Sequence, residues 1–179
     1  MSPQPILHFW FSELTPQQHF AKDATLDESI RTRFGPTLDA AARCELFAWR
    51  ATPEGRLAEI LVLDQFSRNV YRDTARAFAQ DALALALAQE LVASGQDRNL
   101  PTAQRVFAYM PYMHSESALI HEQALELFAQ PGMENNLDFE RRHKAIIDRF
   151  GRYPHRDAVL GRSSTPEELA FLSEPGSSF

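Results

Sequence analysis

The sequence predicts an all-α protein of about eight helices, arranged as antiparallel helical hairpins in a single domain over residues 1–179. Apolar residues recur at spacings of three and four, whereas strict alternation of apolar and polar residues is rare. Helix-start signals and Gly or Pro residues divide the chain into segments of helical length. The connections are short, and a chain of this size buries about 70% of its surface on folding.

The first third of the chain is predicted to contain two helix starts and one interruption. Residues 6–11 form a short apolar segment, and residues 15–18 (Thr-Pro-Gln-Gln) have the form of a capped helix start. A further helix covers about residues 26–33. We expect Gly35-Pro36 to interrupt it before it resumes to about Trp49.

The middle of the chain is predicted to hold two longer helices. Thr52-Pro53 opens the first, because threonine caps a helix and proline suits its first turn. Thr74 is expected to cap the second, over residues 75–94. Gly95 then ends it at the position where a left-handed residue is common.

The last third is predicted to hold four helical segments. The first covers residues 101–110 and stops at Pro111. The second begins at Ser115 and ends near Gln130, and the third covers residues 136–150. Residues 165–168 (Thr-Pro-Glu-Glu) are a capping box that opens a short final helix.

Composition and charge narrow the classes of function. The net charge of -6 argues against broad nucleic-acid binding, which needs a basic surface. No apolar run approaches the roughly 20 residues of a membrane span, and the first residues lack the features of a signal peptide. The one cysteine, Cys44, cannot form an intrachain disulfide and is interpreted as a structural thiol. We therefore expect a soluble cytoplasmic protein, with no prediction of its oligomeric state.

The basic residues are concentrated near the end of the chain. Between Arg141 and Arg162 lie seven of the 18 Lys and Arg residues, opposed by two aspartates. Within this island, Gly151 and Pro154 predict a kinked segment that presents Arg152 and His155 in fixed directions. A basic island in an acidic chain predicts either an anion site or a network of internal ion pairs, and the sequence leaves both open.

Asp64 falls on an apolar stripe of its predicted helix, seven residues after Leu57. A buried carboxylate is costly unless it is paired or hydrogen-bonded. Arg68 lies one turn further on and is the expected partner. The pair is either an ion pair that fixes helix docking or part of a pocket wall.

The sequence predicts positions for two histidines, His143 and His121, and leaves a third, His114, without one. His143 lies on an apolar face of the helix over residues 136–150, together with Phe139 and Phe150. It is either a core residue or, since the same helix leads into the basic island, a functional one. His121 is expected at the surface. Ser115 is expected to cap the following helix, and Glu116 to lie in its first turn, where the helix dipole favours a negative charge. Neither expectation explains His114.

Neither a metal nor a cofactor is expected. The candidate ligands His114, Glu116, His143 and His155 lack a metal-binding spacing such as H-E-x-x-H, and neighbouring arginines would repel a cation. The chain also lacks the G-x-S-x-G motif of a serine hydrolase and a glycine-rich phosphate loop.

Three long motifs resemble the signature of a known family. They are residues 63–69 (LDQFSRN), 110–116 (MPYMHSE) and 150–156 (FGRYPHR) with 160–165 (LGRSST), preceded by Phe9-Trp10-Phe11. The chain resembles the bacterial domain-of-unknown-function family numbered nine-two-four over nearly its whole length. The resemblance implies an all-helical, tetratricopeptide-repeat-like fold and no established activity. Where the family usually has asparagine after the His-Arg pair, this chain has Asp157, which adds a negative charge beside Arg156.

The motif residues lead to one main hypothesis and two alternatives. The main hypothesis is a polar pocket for a small anionic metabolite or an acidic peptide end. In it, His143 or His155 donates or accepts a proton, and Asp64, the third catalytic candidate, orients a histidine or an arginine. The predicted ligand-binding residues are Arg68, Asn69, His114, Glu116, Arg152 and Arg156. The alternatives are a tetratricopeptide-like groove for a peptide and motifs that only hold the helices together.

Overall fold

The computed structural model describes residues 1–177, which are mostly helical and include no β-strand. The α-helices are α1 (Gln4–His8), α2 (Ala24–Ala42), α3 (Pro53–Leu61), α4 (Ser67–Val70), α5 (Asp81–Ala93), α6 (Thr102–Met113), α7 (Ala118–Phe128), α8 (Glu134–Phe150), α9 (Asp157–Leu160) and α10 (Pro166–Leu172). A π-helical turn, Val62–Phe66, joins α3 to α4 without a break. The described residues thus form nine helices when α3 and α4 are taken as one, and the predicted all-α class is confirmed.

Successive helices pack against each other, and α3 lies at the centre of the fold. The helices α5, α6, α7 and α8 follow one another along the chain, and each contacts the next. The helix α3 contacts α1, α5 and α6. Its residues Leu57, Ile60 and Leu61 have no exposed surface, and the π turn that follows also lies in the interior. No helix within residues 1–177 is long and apolar enough to cross a membrane.

Several predicted helix ends are confirmed by the local geometry. The Thr52 hydroxyl accepts the Gly55 backbone N–H at 3.1 Å and caps α3. Gly95 follows α5 with a φ of 69°, in the left-handed region that glycine enters at little cost. The capping box of α10 is complete, since Thr165 and Glu168 each accept the other's backbone N–H.

Two prolines predicted to end helices lie inside them. The helix α2 continues through Gly35-Pro36 to Ala42, and α6 continues through Pro111 to Met113. Apolar side chains are buried on both sides of Pro36, including those of Ile30 and Leu38. Packing of the whole helix therefore outweighs the hydrogen bond that each proline removes. The prediction that this helix reaches about Trp49 is wrong, since α2 ends at Ala42 and Cys44, two residues later, has a left-handed φ of 58°.

Three predicted helix starts are also corrected. Residues after Thr15 form only a short 3-10 turn, Gln18–Phe20. The Thr74 hydroxyl donates to the Tyr71 carbonyl instead of capping, and a 3-10 turn, Ala75–Phe78, separates it from α5. The helix α7 begins at Ala118, so Ser115 and Glu116 precede it rather than forming its first turn. Both are thereby free of helical geometry and available for long-range contacts.

Candidate functional site

Asp64 lies in the π turn that follows α3, with its side chain 1% exposed. Its carboxylate accepts hydrogen bonds from His114 Nδ1 at 2.7 Å and from the Gln65 side-chain amide at 2.6 Å, and it forms an ion pair with Arg68 at 3.2 Å. Burial alone would raise the pKa of Asp64, but His114, Arg68 and these hydrogen bonds hold it well below its usual range. Asp64 is thus a buried anion, paired with Arg68 as predicted.

His114 connects this buried carboxylate to the protein surface. It is the residue directly after α6, and its side chain is 16% exposed. Nδ1–H donates to Asp64. Nε2 has no hydrogen-bond partner within residues 1–177, and it is not fully buried. Burial and the charge of Arg68 lower the pKa of His114, although Asp64 opposes the shift. At neutral pH the ring is neutral and its Nε2 lone pair can accept a proton.

Asp81, the first residue of α5, bridges two arginines. Arg68 donates to both carboxylate oxygens of Asp81 at 3.0 Å, and to the Asp64 carbonyl at 2.8 Å. Arg156 donates to the same carboxylate at 3.3 Å and to the His114 carbonyl at 3.0 Å. These contacts define the His114 site, which consists of Asp64, Arg68, Asp81, His114 and Arg156.

Two aromatic rings hold Arg156 in place. The guanidinium carbon lies 4.6 Å from the centre of the Phe78 ring and 4.5 Å from that of Tyr153. The Arg156 side chain is only 7% exposed, and its Nε is buried without a partner among the described residues. Burial and the nearby charge of Arg68 lower the pKa of Arg156. The site therefore contains two closely spaced cations, one of them largely removed from water.

A second group of charges ties the end of the chain to the segment before α7. Glu116 accepts hydrogen bonds from the two terminal guanidinium nitrogens of Arg162 at 2.7 and 2.9 Å, and from the Tyr153 backbone N–H at 2.8 Å. We call this group the C-terminal clamp; its members are Glu116, Arg152, Asp157, Arg162 and Glu168. Each of its arginines is engaged by two carboxylates, so the clamp has the properties of an internal ion-pair network.

Asp157, where the resemblance led us to expect asparagine, belongs to this clamp. Its carboxylate is buried and accepts from Arg162 Nε and from the Ser164 hydroxyl, both at 2.8 Å. Arg152 lies 3.4 Å away but is held mainly by Glu168, through two contacts of 2.7 Å. The added negative charge is thus paired with Arg162 and Arg152 rather than with its neighbour in sequence.

His121 is buried, not exposed as predicted. Its ring has no exposed surface, Nδ1 lies 2.6 Å from Glu140, and Nε2 lies 2.8 Å from the Ser115 carbonyl. The helix α7 is packed between α6 and α8, so the face that carries His121 is covered. The pair His121–Glu140 has the same composition as the pair His114–Asp64, but both of its ring nitrogens are occupied within the protein.

His143 and His155 pack around Tyr153. Their ring centres lie 5.8 and 5.5 Å from that of Tyr153. Burial, the largest cause, lowers the pKa of His143 to about 3 and that of His155 to about 4. The inward position predicted for His143 is confirmed, although Phe139 on the same predicted face is half exposed.

The predicted site residues fall into separate places. Arg68, His114 and Arg156 meet in the His114 site, whereas Glu116 and Arg152 lie in the C-terminal clamp. Asn69 donates instead to Asp27 of α2 at 2.8 Å, because adjacent helical residues point about 100° apart. Residues 1–177 contain no group of histidines, cysteines and carboxylates arranged to hold a metal ion.

Sequence reasoning missed Asp81, Phe78 and Glu140. Asp81 carries only the ordinary signal of an acid at a helix start, and the sequence predicts an unbroken helix over residues 75–94, in which Asp81 is not a first residue. Two open surface cavities of about 570 and 300 Å³ lie elsewhere, one along α2 and one beside Trp49. Neither is lined by a residue of the His114 site, which is therefore identified by its chemistry and not by a deep cavity.

Comparison with known proteins gives the family of the chain. No curated protein matches it. A solved structure of a protein of unknown function from Agrobacterium tumefaciens is 38% identical and superposes with a TM-score of 0.91, covering 96% of each chain. A family model described as "Bacterial protein of unknown function (DUF924)" matches residues 6–176. The chain belongs to this family, as its three motifs predicted.

Proposed function

We propose that the protein binds a small anion at the His114 site and that His114 accepts a proton there. The observation that carries the proposal is the difference between the two histidine–carboxylate pairs. His121 uses both ring nitrogens internally, whereas His114, whose side chain is 16% exposed, uses only Nδ1 and leaves Nε2 without a partner among the described residues. A pair needed only for packing would gain stability by satisfying the second nitrogen.

The chemistry of the pair supports proton transfer. A buried carboxylate that accepts from Nδ1–H fixes the tautomer and orientation of the ring, and it stabilises the imidazolium formed when Nε2 takes up a proton. The lowered pKa keeps His114 in the neutral form that can act as a base at neutral pH. Asp64 is then the residue that orients His114.

The two neighbouring arginines supply the binding charge for an anion. Guanidinium groups bind carboxylate or phosphate oxygens through paired hydrogen bonds. Arg68 and Arg156 flank His114, and each is also anchored by a backbone carbonyl. We assign the C-terminal clamp a supporting role, since its members are arginines and carboxylates and include no histidine that could accept a proton.

The test is a thermal-shift screen of the purified protein against phosphorylated metabolites, mono- and dicarboxylates and metal ions. A ligand at 100 times its dissociation constant adds about 2.7 kcal/mol of stability, which is readily measured. The anion that stabilises the wild type should have no effect on His114→Gln. The matched control is His8→Gln, since His8 is an exposed histidine that also faces a glutamate. Retained binding by His114→Gln, or a metal ion as the preferred ligand, contradicts the proposal.

A further inference from the structure

Asp81 occupies a position between the two arginines that a ligand could take. Its two carboxylate oxygens receive a bidentate contact from Arg68 at 3.0 Å and a longer contact from Arg156 at 3.3 Å. This is the geometry in which arginine holds a carboxylate ligand. We propose that Asp81 stands in for a ligand carboxylate, and that the His114 site takes a small carboxylic acid in its anionic form. The inference rests on the proposed function and names its ligand class.

Both arginines have further contacts that do not involve Asp81. Arg68 is also held by the Asp64 carbonyl at 2.8 Å and by the Asp64 carboxylate at 3.2 Å. Arg156 is also held by the His114 carbonyl at 3.0 Å and by the rings of Phe78 and Tyr153. A binding site that is already ordered costs little conformational entropy when a ligand enters it.

Asp81 is less deeply buried than Asp64, the other carboxylate of the site. Its side chain is 19% exposed, compared with 1% for Asp64. Most residues of the preceding segment, 74–80, are exposed, and Asp81 is the first residue of α5. A change of its side-chain rotamer towards solvent would leave α5 intact and uncover the two guanidinium groups.

The charge of the site favours a carboxylate over a phosphate. With Asp81 in place, two arginines balance the two carboxylates of Asp64 and Asp81. With Asp81 turned to solvent, a single positive charge remains unbalanced. A carboxylate restores neutrality, whereas a phosphate, which carries close to two negative charges at neutral pH, exceeds it. His114 would then lie close to the bound anion, since Arg156, which contacts Asp81, also donates to the His114 carbonyl at 3.0 Å.

The decisive variant is Asp81→Asn, studied with acetate, inorganic phosphate and acetamide as probes. Asparagine keeps the shape of the side chain but cannot compete as an anion. We expect acetate to bind this variant at least about tenfold more tightly than it binds the wild type, the usual effect of a charge-assisted contact. Acetamide, the neutral analogue, should bind neither protein, and phosphate should bind more weakly than acetate.

The matched control is Asp27→Asn. Asp27 makes a comparable bidentate contact with Arg72, at 2.6 and 2.8 Å, away from the His114 site. Equal gains in acetate affinity for the two variants, or no gain for Asp81→Asn, overturn the inference. A preference for phosphate overturns the ligand class while leaving the anion site itself in place.

A second measurement on the wild type covers the case in which Asp81→Asn does not fold. In an NMR titration, acetate should shift the guanidinium Nε–H resonances of Arg68 and Arg156 more than that of Arg72. An equal response from Arg72 overturns the inference. The His114→Gln variant separates the two proposals: if it loses proton transfer or binding while Asp81→Asn gains no acetate affinity, only the inference about Asp81 is wrong.

Discussion

Substituting Glu116 and Arg162 by glutamine, singly and together, tests whether the C-terminal clamp stabilises the fold. Glu116 accepts two hydrogen bonds from Arg162 and one from the Tyr153 backbone, and both charged side chains are about one quarter exposed, at 26% and 25%. Hydrogen bonds to charged groups contribute about 1.5–3 kcal/mol, and fully exposed ion pairs less than about 1 kcal/mol. We expect each single variant to lose about 2 kcal/mol and the pair to show a coupling of about 1–2 kcal/mol.

Urea unfolding of the four proteins gives the coupling directly as a double-mutant cycle. For a chain of this length, the loss in each single variant corresponds to a fall in Tm of about 4–8 °C. The coupling should also depend on pH. Burial raises the pKa of Glu116, but Arg162 and the Tyr153 N–H lower it below its ordinary value of 4.5. The stabilisation is therefore complete above pH 4.5 and is lost as the pH falls through the lower folded-state pKa.

The control cycle uses Arg43 and Glu45, which form an equally short bidentate contact while more than half exposed. It should give no measurable coupling. A coupling below about 0.5 kcal/mol between Glu116 and Arg162 would refute the clamp, because it would show that the contact adds no more than an exposed pair. Arg162 and Glu116 would then be candidates for ligand binding.

Three further predictions concern pH, close packing and capping. Burial lowers the pKa of His143 from 6.5 to about 3 and that of His155 from 6.5 to about 4. As the pH drops from 6.5 towards 4, these histidines therefore take up protons in the unfolded state before the folded state, and the free energy of unfolding falls. The free energy of unfolding should change by up to about 1.4 kcal/mol per pH unit for each histidine. Urea unfolding of His143→Gln should show a smaller change with pH than the wild type, and an unchanged pH dependence would contradict this prediction. A Cβ at Gly55 would lie 2.1 Å from the Trp49 carbonyl oxygen, whereas one at Gly35 meets nothing within 4 Å. Thermal unfolding should therefore show Gly55→Ala destabilised by about 1–3 kcal/mol and Gly35→Ala stabilised by about 0.5–1 kcal/mol, and similar Tm values for the two would contradict the packing. Thr52→Ala removes the cap of α3 and should cost about 1 kcal/mol by urea unfolding, with Thr52→Ser retaining most of it; equal losses in both variants would show that the hydroxyl is not the cause.

Local signals in the sequence predicted features whose causes are local. The cap at Thr52, the left-handed Gly95 and the capping box at Thr165 each depend on residues within a few positions of one another. The same holds for the contact between Asp64 and Arg68, one helical turn apart. Such contacts can be predicted from spacing alone.

Predictions failed where tertiary packing outweighed a local preference. Pro36 and Pro111 ordinarily end helices, but both lie within helices whose apolar faces are buried. His121 was expected at the surface because the residues beside it are polar, yet α7 lies between two helices and Glu140 of α8 supplies its partner. No local pattern carries information about a neighbour contributed by a distant segment.

The sequence by itself determined the fold class, the family, several helix ends and the clustering of charge near the end of the chain. The tertiary structure decided which charges meet. It pairs Arg152 with Glu168 and Arg162 with Glu116, and it brings Asp81 to Arg156 from 75 positions away. Pairing across such separations depends on how helices dock, which is fixed by the burial of apolar faces over the whole chain. For this reason the basic island divides into an internal clamp and a site at His114, a division that only the folded chain defines.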